Sequence, residues 1–195
     1  MINVENIVPK RDIVIVKLLK IEESLFTPDL SDEQNIAIRY GKVTSKGSLA
    51  DSLEHCPGLE VGDTVVFTEF AGYYIPTEKD LYKAIRGYDI IGKSMKEIND
   101  KKDLDIIPTG DRVLVEIIDL TKDSDGLITN ISDPRLADMI YGKIIKINPE
   151  INKQNLKVGQ HVAFAPYAGT TIRNFESDES KELRIIVEHD ILFTV

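Results

Sequence analysis

The sequence has little of what disulfide bridges and membrane spans require. Its single cysteine, Cys56, has no second thiol in the chain with which to pair, so a reducing compartment is expected. No stretch approaches the roughly 18 apolar residues of a transmembrane helix. The first residues lack the basic and apolar regions of a signal peptide and the Arg- and Ser-rich character of a transit peptide. These absences favour a cytoplasmic protein, with an organellar stroma or a host cytoplasm as alternatives.

Motifs for covalent catalysis, dinucleotide cofactors and metal sites are also missing. The sequence contains three histidines, and no pair has the spacing of a zinc site. His55 and Cys56 are adjacent, so in an extended chain their side chains point to opposite faces. The sequence has no nucleophile elbow and no Gly-x-Gly-x-x-Gly, which argues against an enzyme and against a cofactor. A net charge of −9 repels phosphate backbones and argues against nucleic acid as a partner.

What the chain does contain is an internal repeat with an offset of 97 to 101 residues. Five blocks recur in the same order. They begin with Ile7-Val8-Pro9 against Ile106-Ile107-Pro108 and Tyr40-Gly41-Lys42-Val43 against Tyr141-Gly142-Lys143-Ile144, followed by Leu59-Glu60-Val61-Gly62 against Leu156-Lys157-Val158-Gly159, Phe70-Ala71-Gly72 against Tyr167-Ala168-Gly169, and Asp89-Ile90-Ile91 against Asp190-Ile191-Leu192. We therefore predict two homologous domains, residues 1–95 and 103–195, joined by a charged linker at 96–102.

The blocks read as short strands rich in β-branched residues and bounded by glycine turns. The glycine of each Tyr-Gly-Lys block is expected to precede its strand and to permit a bend or bulge. Each half has several such strands and no long helical period. The sequence therefore predicts an all-β protein of two tandem, partly open antiparallel β-barrels, because closure removes exposed sheet edges.

These blocks resemble the co-chaperonin family, the chaperonin-10 or GroES proteins, along both halves. The strongest piece is Ile106-Ile107-Pro108-Thr109-Gly110-Asp111-Arg112-Val113-Leu114-Val115-Glu116. Two copies in one chain resemble the double-domain co-chaperonins of plastids or a divergent virus-encoded member. The resemblance implies self-association into a ring-shaped lid. It also implies that the lid caps an ATP-driven chaperonin of the GroEL or chaperonin-60 class, with the ATP used by that partner.

The family also implies a mobile loop after the first strand of each domain, carrying apolar residues that dock on the chaperonin. The corresponding residues are Gly126, Leu127, Ile128 and Thr129 in segment 119–137, and Leu25, Phe26 and Thr27 in segment 22–36. The first-half segment lacks the family's glycine. Short apolar islands in polar, acidic surroundings cannot bury enough surface to hold one conformation alone. The alternative is that these apolar residues anchor the loops on their own domain.

Two further roles come from the resemblance. Asp51 and Glu54 lie in a segment that forms a roof hairpin in the family, and a solvated acidic loop is the alternative interpretation. Phe70 and Tyr167 precede the Ala-Gly turns and are expected to pack in the core, with a position facing the chamber as the alternative. The imperfect docking residues also leave open a structural or virion scaffold protein, built from GroES-like barrels without chaperonin binding.

Overall fold

The computed structural model describes residues 3–19, 38–52, 55–94, 106–118, 139–148, 151–172 and 182–194. Within these ranges the regular structure consists of strands and three-residue 3-10 turns, with no helix of seven or more residues. No helix in this described part is long and apolar enough to cross a membrane. The chain divides into two compact units, residues 1–110 and 111–195. The predicted all-β class is confirmed.

Unit 1 is a seven-stranded antiparallel sheet in the order β4-β5-β1-β2-β3-β6-β7. Its strands are β1 (Ile13–Leu18), β2 (Ile38–Lys46), β3 (Thr64–Thr68), β4 (Tyr73–Ile75), β5 (Tyr82–Arg86), β6 (Ile90–Ser94) and β7 (Ile106–Pro108).

Unit 2 repeats this order, and its described residues contain no counterpart of β7. It runs β11-β12-β8-β9-β10-β13. Its strands are β8 (Arg112–Ile118), β9 (Ile140–Ile147), β10 (His161–Phe164), β11 (Thr170–Ile172), β12 (Leu183–Val187) and β13 (Ile191–Thr194). The same strand order in both units confirms the internal repeat.

Each sheet curls around one core. In unit 1, three strands lie between β5 and β6, which would place them about 19 Å apart in a flat sheet. Ile85 of β5 and Ile90 of β6 nevertheless belong to one buried cluster with Val16 and Phe67. Unit 2 builds the matching cluster around Val115 and its neighbours. The wrapped sheets confirm the predicted partly open barrels.

The glycines of the Tyr-Gly-Lys blocks lie inside β2 and β9, so the prediction that they precede the strands is wrong. A Cβ added at Gly41 would lie 2.9 Å from the Cβ of Val16, and one at Gly142 would lie 3.0 Å from the carbonyl oxygen of Glu116. Both glycines are required by the close approach of the neighbouring strand.

Strand β7 belongs to the second repeat by sequence and to unit 1 by pairing. Gly92 pairs with Pro108 and Ser94 with Ile106, and the amide of Thr109 donates to the carbonyl of Ile91 at 3.2 Å. The predicted linker at 96–102 lies outside the described residues. Residues 7–9, the first-repeat counterpart of β7, are part of no strand in the described part of the chain.

Candidate functional site

The predicted docking residues lie outside the residues that the structure describes. They are Leu25, Phe26, Thr27, Gly126, Leu127, Ile128 and Thr129. Their roles therefore stay predictions.

The described strands do show where these two segments attach. Segment 20–37 joins β1 to β2, and segment 119–138 joins β8 to β9. The flanking strands are direct neighbours in the sheet, with Leu18 opposite Gly41 and Ile118 opposite Tyr141. Each segment therefore leaves and re-enters its barrel at the same end of adjacent strands. The two attachment points are equivalent by the repeat.

The predicted roof residues fall in the loop between β2 and β3. Asp51 is exposed and forms an ion pair of 2.5 Å with Lys46, and this hydrogen bond lowers the pKa of Asp51. Its neighbour Ala50 and the thiol of Cys56 are fully buried in the core of unit 1. Glu54 lies outside the described residues. Asp51 therefore sits at the surface of a loop that is anchored through its apolar members, and its roof role remains a prediction.

The corresponding loop of unit 2 is held differently, by a residue that the sequence did not single out. Glu188 is 3% exposed. Its carboxylate accepts the backbone amides of Lys153 at 3.1 Å and Gln154 at 3.3 Å. Unit 1 has Gly87 at the equivalent position, where an added Cβ would lie 2.9 Å from both the Ala50 carbonyl oxygen and the His55 Cβ. In unit 1 the longer β2–β3 loop thus packs against the backbone of Gly87. In unit 2 the carboxylate of Glu188 holds the shorter β9–β10 loop through hydrogen bonds.

The aromatic residues before the Ala-Gly turns are exposed, so the predicted core packing is wrong. Phe70 is 80% exposed and Tyr167 is 87% exposed. The reason is that the alanine fills the core instead: Ala71 and Ala168 are 7% and 6% exposed and belong to the two core clusters. Since successive residues of a tight turn point in different directions, burying the alanine turns the aromatic ring outward.

Unit 1 continues this exposed aromatic surface into its next strand, whereas the described residues of unit 2 do not. Strand β4 follows the turn and carries Tyr73 and Tyr74, which are 83% and 58% exposed. The equivalent positions of β11 are Thr170 and Thr171. Unit 1 therefore presents a cluster of aromatic rings at the β3–β4 turn, whereas the equivalent turn of unit 2 has one ring followed by threonines.

At equivalent positions of the two units, a cationic side chain donates a hydrogen bond to a backbone carbonyl of this turn. The sequence analysis did not predict this contact. Lys83 is 2% exposed. Its Nζ donates to the carbonyl of Glu69 at 2.6 Å and lies 4.8 Å from the ring centroid of Tyr74. In unit 2, Arg184 donates to the carbonyl of Pro166 at 2.7 Å. The matching positions of Lys83 and Arg184 were the only sequence signal. Burial lowers the pKa of Lys83.

The histidines do not assemble a reactive centre in the part of the chain described. His55 lies beside Tyr88 with ring centroids 6.3 Å apart. His161 begins β10, and His189 is exposed in a 3-10 turn. Among the described residues, no three His, Cys, Asp or Glu side chains lie close enough together to hold a metal ion.

The outer edges of β6 and β13 differ because only β6 is covered by a further strand. Ile91 in β6 is 7% exposed beneath β7, whereas its counterpart Leu192 in β13 is 58% exposed. The residues of β7 and their first-repeat counterparts show the same contrast in burial. Ile106 of β7 is 1% exposed, while its counterpart Ile7 is half-buried and the following Val8 is 72% exposed. In the described residues, β13 of unit 2 thus has an uncovered edge, and unit 1 has a segment, residues 7–9, whose sequence matches β7 and which forms no strand.

Fold and surfaces together define a tandem β-barrel protein whose distinctive features, in the described residues, are paired loop attachment points, exposed aromatic turns and a β13 edge that lacks the strand covering β6. The family profile of the chaperonin 10 Kd subunit (Cpn10) matches residues 6–94 and again residues 105–195. The chain belongs to this family and carries two copies of its domain.

Three relatives match between 37% and 47% of this chain and most of their own length. The co-chaperonin GroES of Wolinella succinogenes is 36% identical over 90 residues, which cover 45% of this chain and 94% of that protein. The co-chaperonin GroES of Kosmotoga olearia is 32% identical over 73 residues, covering 37% and 81%. That of Polynucleobacter necessarius is 29% identical over 100 residues, covering 47% and 98%. Each relative is therefore about as long as one repeat.

Proposed function

We propose that this chain is a co-chaperonin that joins end to end into a ring and caps an ATP-driven chaperonin of the GroEL class. Capping uses the segments between β1 and β2 and between β8 and β9, and ATP hydrolysis belongs to the partner. The protein works in the cytoplasm or an equivalent reducing compartment. Family membership and the names of the relatives support the co-chaperonin role.

The observation that carries the ring is the pairing of β7 with β6. It joins the start of one repeat to the end of the preceding repeat within a single chain. The end of the second repeat, with exposed Leu192, and the start of the first repeat, with exposed Val8, are the equivalent elements, and no strand in the described part of the chain pairs with either at this edge. Addition of residues 7–9 of another copy to β13 would cover both. Repeated head-to-tail contacts close into a ring when the rotation per step permits.

The docking strength follows from the composition of the loop segments. Burying two or three apolar side chains such as Leu127 and Ile128 stabilises a contact by roughly 1.5–3 kcal/mol each. Ordering about ten loop residues opposes binding by about 1–2 kcal/mol per residue, less where the segment is partly preordered. A single contact is therefore weak. A ring that presents several segments at once binds avidly, because the weak contacts act together. Binding stays reversible, which a lid needs if it is to leave the chaperonin.

The test is a binding assay with a chaperonin of the GroEL class in the presence and absence of ATP. Co-sedimentation should detect a complex that depends on nucleotide. The double variant Leu127→Ser/Ile128→Ser should weaken this complex at least tenfold, since each truncation removes roughly 1 kcal/mol or more at every docking point. Leu25→Ser/Phe26→Ser tests the first-repeat segment in the same way.

The matched control replaces apolar residues that are exposed away from these segments. Val61 and Val158 are 60% and 61% exposed in the turns before β3 and β10, and Val61→Ser/Val158→Ser should leave binding unchanged. Rings that form but never bind a chaperonin with any nucleotide would contradict capping and favour the scaffold alternative. Equal losses in the control and loop variants would contradict the assigned docking segments.

A further inference from the structure

The covered edge of unit 1 depends on the absence of a side chain at Gly92. A Cβ built at Gly92 would lie 2.6 Å from Cγ2 of Ile106, which is closer than carbon atoms can approach without displacement. Ile106 is 1% exposed, and its branched side chain has little rotamer freedom with which to move aside. Strand β6 therefore receives an isoleucine from β7 because its own residue at that point is glycine.

Unit 2 has Phe193 where unit 1 has Gly92. Phe193 pairs with Ala163, and Ala163 pairs on its other side with Tyr141, so the three residues lie in one row on one face of the sheet. The ring of Phe193 is 43% exposed and meets Tyr141 edge-on, with centroids 6.4 Å apart.

The corresponding row in unit 1 runs from Tyr40 through Val66 to Gly92. There the place beside the glycine is filled by Ile106, which comes from the added strand. In unit 1 this place is thus filled by Ile106 of the added strand β7. In unit 2 the equivalent position carries the ring of Phe193, which belongs to the edge strand β13 itself.

We propose that Phe193 is the residue that determines how a second copy of this chain joins the β13 edge, an inference that rests on the proposed ring. The incoming strand is Ile7-Val8-Pro9 of the other copy, which has an isoleucine at the position of Ile106. Phe193 excludes that isoleucine from the place that Ile106 fills beside Gly92, so backbone pairing and contact with Leu192 form without full burial of Ile7. The joint between chains is therefore weaker than the joint within a chain.

The two-domain chain is the unit of assembly because the β6–β7 joint lies within one polypeptide, and the asymmetry keeps that joint closed when a joint at β13 opens. The ring separates at β13 and stays joined at β6, because only the β6 joint buries its isoleucine completely. Rings can then form from whole chains and dissociate into whole chains while Ile106 stays buried against β6.

The direct test is Phe193→Gly in the full chain, measured by sedimentation velocity across a concentration series and without any chaperonin. We expect the dissociation constant at each joint to fall about tenfold, since the burial of Ile7 is completed. Thr194→Gly is the matched control, because it places a glycine in the same edge strand while keeping the ring, and it should not tighten assembly.

A double-mutant cycle assigns the effect to the contact between copies. Ile7→Ala should change assembly little beside Phe193, whereas beside Phe193→Gly it should cancel most of the tightening. Unchanged or weaker assembly of a folded Phe193→Gly protein, as judged by circular dichroism, would overturn the inference and make Phe193 an ordinary anchor of the joint.

The reciprocal change in unit 1 keeps the inference testable if unit 2 does not tolerate glycine. Gly92→Phe should expel Ile106, and hydrogen exchange should then show lost protection at the amide of Thr109 while β1 and β3 stay protected. Retained protection at Thr109 would overturn the inference. A wild-type chain that assembles normally but never binds a chaperonin would contradict capping alone. Failure of every variant to self-associate would overturn both the ring and this inference.

Discussion

The Ala-Gly turn of unit 1 offers a test of how tightly the aromatic surface is built. Gly72 has φ of 62°, and an added Cβ would lie 2.0 Å from the carbonyl oxygen of Ala84 and 2.8 Å from Cγ2 of Ile85. Gly58 has the same φ of 62° with nothing within 4 Å of an added Cβ. Gly72→Ala and Gly58→Ala therefore share the backbone strain and differ in the steric contact.

The expected magnitudes follow from these two contributions. Alanine in the left-handed region costs roughly 1–2 kcal/mol, and the reduced entropy of the unfolded chain offsets about 0.4–1 kcal/mol of this. Gly58→Ala should thus destabilise unit 1 by about 1 kcal/mol. Gly72→Ala must also move β4 away from Ala84, which pairs with Tyr73. Losing one or two buried hydrogen bonds adds about 2–3 kcal/mol, so a total of about 3–4 kcal/mol is expected.

Urea unfolding followed by tyrosine fluorescence can report on unit 1, because the chain has no tryptophan. Most of the tyrosines lie in unit 1, namely Tyr40, Tyr73, Tyr74, Tyr82 and Tyr88. The reasoning is refuted if the two variants lower the free energy of unfolding of unit 1 by the same amount, within about 0.5 kcal/mol. Gly169→Ala, with its Cβ 2.2 Å from the carbonyl oxygen of Ile185, should transfer the larger effect to unit 2 and leave the unit 1 transition unchanged.

Three further outcomes are expected. Arg11 has φ of 53° where the second repeat has Gly110 at 61°, so Arg11→Gly should stabilise unit 1 by about 0.5–1 kcal/mol in the same urea assay, and destabilisation would contradict this. The thiol of Cys56 is fully buried, so a thiol reagent should label it only as unit 1 opens, and Gly72→Ala should accelerate labelling; equally fast labelling in native and denatured protein would exclude this burial. Burial lowers the pKa of Lys83 in the folded protein below the value of 10.5 that it has in the unfolded chain. Between these two pKa values the unfolded chain binds more protons than the folded protein, so the stability of unit 1 should rise as the pH rises through this range. Lys83→Met should flatten this slope in parallel urea titrations, and an unchanged slope would contradict the assignment.

Local patterns in the sequence determined the strands, the two repeats and the family. Short β-branched runs bounded by glycine form strands in most contexts, and the five recurring blocks required no knowledge of packing. The same strand order on both sides of the repeat, with Val16 and Val115 in equivalent cores, follows from those blocks because similar sequences bury the same alternating face.

Only the tertiary structure determined which residues pack against each other. Hydrophobicity predicted Phe70 in the core, yet the turn buries Ala71 and leaves the ring exposed. Lysine side chains ordinarily lie at the surface, yet Lys83 is buried and its amine donates to a carbonyl of the turn. Above all, the repeat boundary in sequence did not predict that Ile106 would complete the sheet of the preceding domain. These outcomes depend on contacts between residues distant along the chain, and the free energy of such contacts comes from the space and partners that the folded barrel provides, which no local pattern encodes.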